Sequence, residues 1–122
     1  MWARSSLPKH QVEKFTSTRN INSSPLSKPM YALSFDMDIA ELEKYYGNPY
    51  HGAYYEIKRT LVKHGFYWIQ GSTYMTNADN LLNLFNAVNA LKAIDWFRKS
   101  VRDIRGYRVE EWSDFTESVR NG

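Results

Sequence analysis

The sequence predicts an α+β fold in which a four-stranded antiparallel sheet carries its helices on one face. Three observations lead to it. Short apolar-alternating or β-prone runs occupy 31–35, 66–76 and 100–109; helical spacing governs 49–64 and 81–94; and the pair Gly71-Ser72 joins two of the β-prone runs.

Taken in order, Tyr31-Ala-Leu-Ser-Phe35 alternates large apolar with small residues and ends in Asp36. This is the pattern of a half-buried strand, with Tyr31, Leu33 and Phe35 on one face and Ala32, Ser34 and Asp36 on the other. Asp38 to Tyr46 forms a helical turn or an ordered loop, which Gly47-Asn48-Pro49 stops. A helix then runs to His64, with Pro49 near its first turn, because Tyr50, Ala53, Tyr54, Ile57 and Leu61 recur at spacings of three and four. Gly65 ends it.

Phe66-Tyr-Trp-Ile-Gln70 and Thr73-Tyr-Met-Thr76 are β-prone, and the two residues between them signal a tight hairpin with a primed turn. Asn77 or Asp79 can cap the next helix, whose stripe is Leu81, Leu84, Phe85, Val88, Leu91 and Ile94. Ser100 to Val109 reads as the last strand. Alternation sets Val101, Asp103, Arg105, Tyr107 and Val109 against Arg102, Ile104, Gly106 and Arg108. A short element follows from Glu110. Strand, helix, strand, strand, helix, strand is the ferredoxin-like βαββαβ order, and right-handed crossovers put both helices on one face. The other face then needs a cover, for which a homodimer is a plausible solution.

Composition narrows the function. At 122 residues, 43% apolar and 24% charged, the chain is long enough for one core. No apolar run reaches the ~20 residues of a membrane span, and the N-terminus lacks a secretory apolar stretch, so a cytoplasmic protein is expected. With no cysteine, disulfides, thiolate nucleophiles and cysteine-based zinc sites are excluded. The pI near 9.1 suggests nucleic acid until the charge is located. Residues 1–29 hold five basic residues and one acid, net +4, whereas 30–122 hold eleven basic and twelve acidic residues, net −1. We therefore read 1–29 as a disordered basic leader or extension and 30–122 as the folded domain, with Met30 a candidate start.

Phosphate-cradling Gly-rich loops, zinc-binding helix signatures, EF-hand loops and serine elbows are absent from the sequence. His10, His51 and His64 are scattered, and His64 before Gly65 suits the negative end of a helix dipole. Asp36, at the end of an apolar strand, sits where a side chain projects into a cleft, although a cap or turn former is the ordinary role for an acid there. Asp38 two residues on makes a carboxylate pair able to hold magnesium, a weak signal. Arg98, Lys99, Arg102, Arg105 and Arg108 gather around the last strand, with Asp103 the only acid between the first and last of them. They can grip phosphate while Tyr107 and Trp112 stack on RNA bases, or they can simply guard a strand edge. Ser72 is either a phosphate donor or an ordinary turn serine.

Four segments, Met30-Tyr-Ala-Leu-Ser-Phe-Asp36, Gln70-Gly-Ser72 followed by Tyr74, Ser100-Val-Arg-Asp-Ile-Arg105, and Trp112-Ser-Asp-Phe-Thr116, resemble the pattern of the virulence-associated protein D (VapD) family in order and approximate spacing. The likeness runs from Met30 to the C-terminus. It implies a ferredoxin-like fold similar to the small nuclease subunit of CRISPR adaptation, a homodimer, and RNA cleavage by a toxin held by a cognate antitoxin protein. By the same resemblance Asp36, from one subunit or both, is the essential acid, acting directly or through Mg2+. Ser72 and Asp103 match the family's other polar motifs, and Arg102 and Arg105 fit phosphate positioning. A non-catalytic RNA- or protein-binding regulator is the main alternative, because the fold does not dictate chemistry; a structural subunit binding a partner protein is the third.

Overall fold

Alternation begins to bury side chains at Tyr31, and there strand β1 (Tyr31–Met37) forms. The computed structural model describes residues 28–122, so the leader expected at 1–29 lies outside the described residues except for its last two. After β1 come α1 (Ile39–Tyr45), α2 (His51–Lys63), β2 (Phe66–Gln70), β3 (Thr73–Thr76), α3 (Leu81–Lys92), α4 (Asp95–Ser100), β4 (Val101–Arg108) and α5 (Thr116–Asn121). The sheet order is β2-β3-β1-β4 with every neighbouring pair antiparallel. This is the arrangement expected from the order of elements.

The register sorts side chains onto two faces. Tyr31, Leu33 and Phe35 of β1, with Phe66, Tyr74 and Phe97, join Ile57 and Leu61 of α2 and Leu84 and Leu91 of α3 in one core. Leu33, Leu42, Ile57, Leu61 and Leu91 are fully buried, each contributing about 1.5–3 kcal/mol of transfer free energy. Phe35 anchors the middle of this layer, stacked on Tyr74 and edge-on to Phe97. Gly106 lies opposite Leu33 on the same face, and a Cβ there would stand 2.9 Å from a methyl carbon of Leu84. The close approach of α3 to β4 therefore requires the missing side chain.

Turn chemistry closes the hairpin and the helices. Gly71 adopts φ +47°, the left-handed geometry a primed turn needs, and the Trp68 indole N–H donates to its carbonyl at 2.9 Å. At the end of α2, the His64 ring nitrogen Nδ1 lies 3.0 Å from the Thr60 carbonyl and Asn83 Nδ2 donates to the His64 carbonyl. His64 is thus a helix-end residue.

Several details differ from the sequence reading. Asn80, rather than Asn77 or Asp79, caps α3, its side chain accepting from the Asn83 N–H at 2.9 Å. The buried line of α3 is Leu84, Ala87 and Leu91, while Leu81 and Phe85 are exposed. The helix also stops at Lys92, and a separate α4 follows, packed against α1 through an edge-on contact of Trp96 with Tyr46. Arg98 and Lys99 belong to α4, where both pair with Asp95 and hold its carboxyl below the usual carboxylate range, the Lys99 hydrogen bond first.

Candidate active site

The C-terminal end of β1, the N-terminal end of β4 and the β2–β3 turn meet at one end of the sheet. Asp36 is opposite Asp103 in the register, Ser34 is opposite Arg105, and the Phe35 N–H donates to the Ser72 carbonyl at 3.2 Å. Four of the expected residues, Asp36, Ser72, Asp103 and Arg105, are therefore brought together by strand pairing alone, Ser72 half-buried in its turn.

Arg102 joins them through an irregularity. Between the pairs Asp36–Asp103 and Met37–Val101 the β4 strand advances two residues for one on β1. This is a β-bulge, which leaves one residue unpaired and re-aims a side chain. Strict alternation set Arg102 on the same face as Ile104, which packs against the core. In the structure Val101 packs against the core beside Met37 instead, and the Arg102 guanidinium turns to Asp36 Oδ2 at 3.7 Å and Asp38 Oδ2 at 3.9 Å. The expected side of this arginine is corrected by the bulge.

Asp38 is held more firmly than its partners. Its Oδ1 accepts from the Glu41 N–H at 3.1 Å as the N-cap of α1, and its own N–H donates to the Ser100 carbonyl at 2.8 Å. Ser100 is buried and its hydroxyl donates to the Trp96 carbonyl at 2.6 Å. The α1–α4 pair thus fixes the carboxylate that faces Arg102. Arg105 is fixed by its own strand: its Nε–H lies 3.2 and 3.0 Å from the two oxygens of Asp103. Asp103 orients Arg105, as the alternation anticipates.

The remaining candidates are placed differently. Tyr107 lies opposite Ala32, one row inward, exposed, with its hydroxyl 3.0 Å from that of Ser34. Arg108 is at the far end of β4, opposite Tyr31, where it donates to Glu110 and to the Tyr31 hydroxyl and lies over the Tyr31 ring. Trp112 follows that same far end and is half-buried. The five basic residues expected around β4 therefore fall into three groups, Arg98 and Lys99 on Asp95 of α4, Arg102 and Arg105 on Asp36, Asp38 and Asp103, and Arg108 on Glu110 and Tyr31.

No family model matches the chain. Individual relatives do. It is 55% identical over 91 residues to the Endoribonuclease VapD of Dichelobacter nodosus, covering 75% of this chain and 98% of that protein. It is 52% identical over 84 residues to Endoribonuclease VapD 1 of Riemerella anatipestifer, covering 69% and 94%, and 48% identical over 94 residues to the Endoribonuclease VapD of Helicobacter pylori (strain ATCC 700392 / 26695), covering 75% and 100%. The chain belongs to the VapD family.

In this VapD chain Tyr54, assigned to the apolar stripe of α2, packs half-buried against the core as that stripe expects. Burial first, then Tyr50, then Asp36 push its pKa above the ordinary tyrosine value.

Proposed function

We propose that this chain is an endoribonuclease that cleaves single-stranded RNA, mRNA above all, as the toxin of a bacterial toxin–antitoxin pair. The observation that carries the reading is the meeting of Asp36, two oriented arginines and the Ser72 turn at one sheet end, in a chain whose relatives are named endoribonucleases. Asp36 has the place of a general base, taking the proton of the attacking 2′-hydroxyl or water. Arg102 and Arg105 are suited to the phosphate, whose charge grows in the transition state, because guanidinium forks match phosphate oxygens. Ser72 is near enough by register to supply a further hydrogen bond, and Tyr107 and Trp112 are candidate stacking platforms for flanking bases.

Asp36 was also the candidate site for magnesium. Among the described residues no three His, Asp or Glu side chains converge to hold a metal ion, and the Arg102 cation lies against Asp36 and Asp38. Asp36 and Asp38 are the residues that would hold a magnesium ion, which would there neutralise phosphate charge in the place the Arg102 cation takes against both carboxylates.

The working unit in this reading is a homodimer, held in check by a cognate antitoxin protein. Its location is the cytoplasm, where mRNA is found. Exposed apolar groups such as Tyr107, Phe115 and Val119 support a surface that a second copy covers.

The test is cleavage of single-stranded RNA by the purified protein, with magnesium and with chelator, comparing wild type with Asp36→Asn. Loss of cleavage with retained fold and retained RNA binding is expected, on the order of 10²-fold or more. Undiminished cleavage by the folded variant sinks the assignment of Asp36. Tight binding that leaves RNA intact in the wild type as well replaces the enzyme with a non-catalytic regulator.

A further inference from the structure

The two arginines at the Asp36 end are held in different ways. Arg105 is closed on its own strand, its Nε–H lying 3.2 and 3.0 Å from the two Asp103 oxygens. Arg102 is open. Its Nη1 stands 3.7 Å from Asp36 Oδ2 and its Nη2 stands 3.9 Å from Asp38 Oδ2, both longer than the ~2.7–2.9 Å of a charge-assisted hydrogen bond. One guanidinium is therefore shared between two carboxylates and closes on neither.

The two carboxylates differ in how they are anchored. Asp36 lies at the end of the β1 ladder, opposite Asp103, where the register breaks before the next pair. Asp38 is tied through both its main chain and its side chain. Its N–H donates to the Ser100 carbonyl at 2.8 Å, its carbonyl accepts from the Leu42 N–H at 2.9 Å, and its Oδ1 accepts from the Glu41 N–H at 3.1 Å. Oδ2 is the oxygen left to face Arg102. Ser100 and Leu42 are buried, the Ser100 hydroxyl donates to the Trp96 carbonyl, and Trp96 meets Tyr46 edge-on at 4.9 Å. Helices α1 and α4 thus lock the Asp38 anchor from both sides.

At nearly equal distances from two negative charges, the guanidinium gains little by moving from one to the other. Removing the Asp38 charge ends that balance, and Asp36 alone then attracts Arg102. A closed Asp36–Arg102 pair would occupy the carboxylate lone pairs that a general base must offer and the N–H groups that a phosphate must find.

We infer that Asp38 is a positioning residue that acts through Arg102: it draws the guanidinium off Asp36, which leaves that carboxylate open to a proton and the guanidinium open to the phosphate. The inference rests on the endoribonuclease reading and adds to it a residue whose only partner at the site is Arg102.

The test is single-turnover cleavage of single-stranded RNA by the full chain across a range of magnesium concentrations, with RNA-binding titrations and thermal melts alongside. Asp38→Asn removes the charge and keeps the cap, because asparagine caps a helix as well as aspartate does, so the melting temperature should hold. Its maximal rate should fall about fivefold, the population shift that an exposed ion pair near the top of its usual strength can hold. RNA binding should not weaken, since a negative charge has left the site. Asp38→Ala also loses the cap; it should melt lower than Asp38→Asn and show the same rate. In an Arg102→Gln background, Asp38→Asn should cause no further loss, because no guanidinium is left to hold.

A wild-type rate in Asp38→Asn, or the same loss with and without Arg102, overturns the inference and leaves the endoribonuclease reading standing. So does a loss that rising magnesium restores, which would make Asp38 a ligand of the ion. A wild type that leaves the RNA intact overturns both.

Discussion

Replacing Arg102 by glutamine separates a residue that acts on substrate from one that holds the fold. Its nitrogens are 3.7 Å from Asp36 and 3.9 Å from Asp38, and the three side chains are 61%, 63% and 41% exposed. Two unit charges near 4 Å attract by about 1 kcal/mol in bulk water, and side-chain entropy and salt reduce this further. Exposed pairs of this kind are measured at roughly 0–1 kcal/mol each. With both pairs lost, the melting temperature of Arg102→Gln should therefore fall by no more than about 8–16 °C, and less at high salt. Loss of a donor aimed at the charge of a phosphoryl transition state costs far more, on the order of 10²–10³ in rate.

The assay is single-turnover cleavage of single-stranded RNA beside a thermal melt, each at two salt concentrations. Salt should erase the stability difference between wild type and variant while leaving the rate deficit in place. A variant that cleaves normally refutes the phosphate role of Arg102. One whose rate loss tracks its loss of folded protein refutes the separation of site from fold, and with it the interpretation of the β4 bulge as a device that aims a side chain.

Two further outcomes concern the core. Gly106→Val should destabilise by about 1–3 kcal/mol, because a Cβ at this position stands 2.9 and 3.4 Å from the two Leu84 methyl carbons. Combining it with Leu84→Ala, which alone should cost about 2–5 kcal/mol, should be less harmful than the two losses added, as urea midpoints will read; simple additivity would refute the contact. Tyr74 is 4% exposed and burial pushes its phenol up to about 12. The unfolded chain releases this proton near its ordinary value of about 10 while the folded chain keeps it, so stability is full below about pH 10 and falls toward pH 12 by about 1.4 kcal/mol per unit. Tyr74→Phe should flatten that fall in urea unfolding at about pH 9 and about pH 11, and an unchanged slope would assign it to another group.

The sheet was legible because each of its signals is local. Alternation in Tyr31–Phe35 and the two-residue Gly71-Ser72 turn fix strands and register within a few positions, and four segments in order point to the family. Register then carries consequences far along the chain: pairing of β1 with β4 is enough to put Asp36 beside Asp103 and Ser34 beside Arg105. The places where the sequence reading failed all depend on interactions that do not show in spacing. Helix α4 was hidden because six residues, Asp95–Ser100, are too short for a helical period to declare itself, and what holds the segment is the packing of Trp96 and Phe97 against Tyr46 and Phe35. Without that helix, Arg98 and Lys99 seemed to prolong the arginine series of β4.

Arg102 shows why the site was harder to read than the fold. A strand read as perfectly alternating must put Arg102 on the helix side, yet a lone guanidinium between Met37 and the core would be a buried unpaired charge, which costs several kcal/mol. The strand avoids this by bulging at the point where Val101 can enter the core and Arg102 can reach two carboxylates. An acid at a strand end is ordinary; an acid to which an arginine turns through a bulge in the neighbouring strand, beside a second carboxylate held as a helix N-cap, is the feature that distinguishes this end of the sheet from the end at Tyr31 and Arg108.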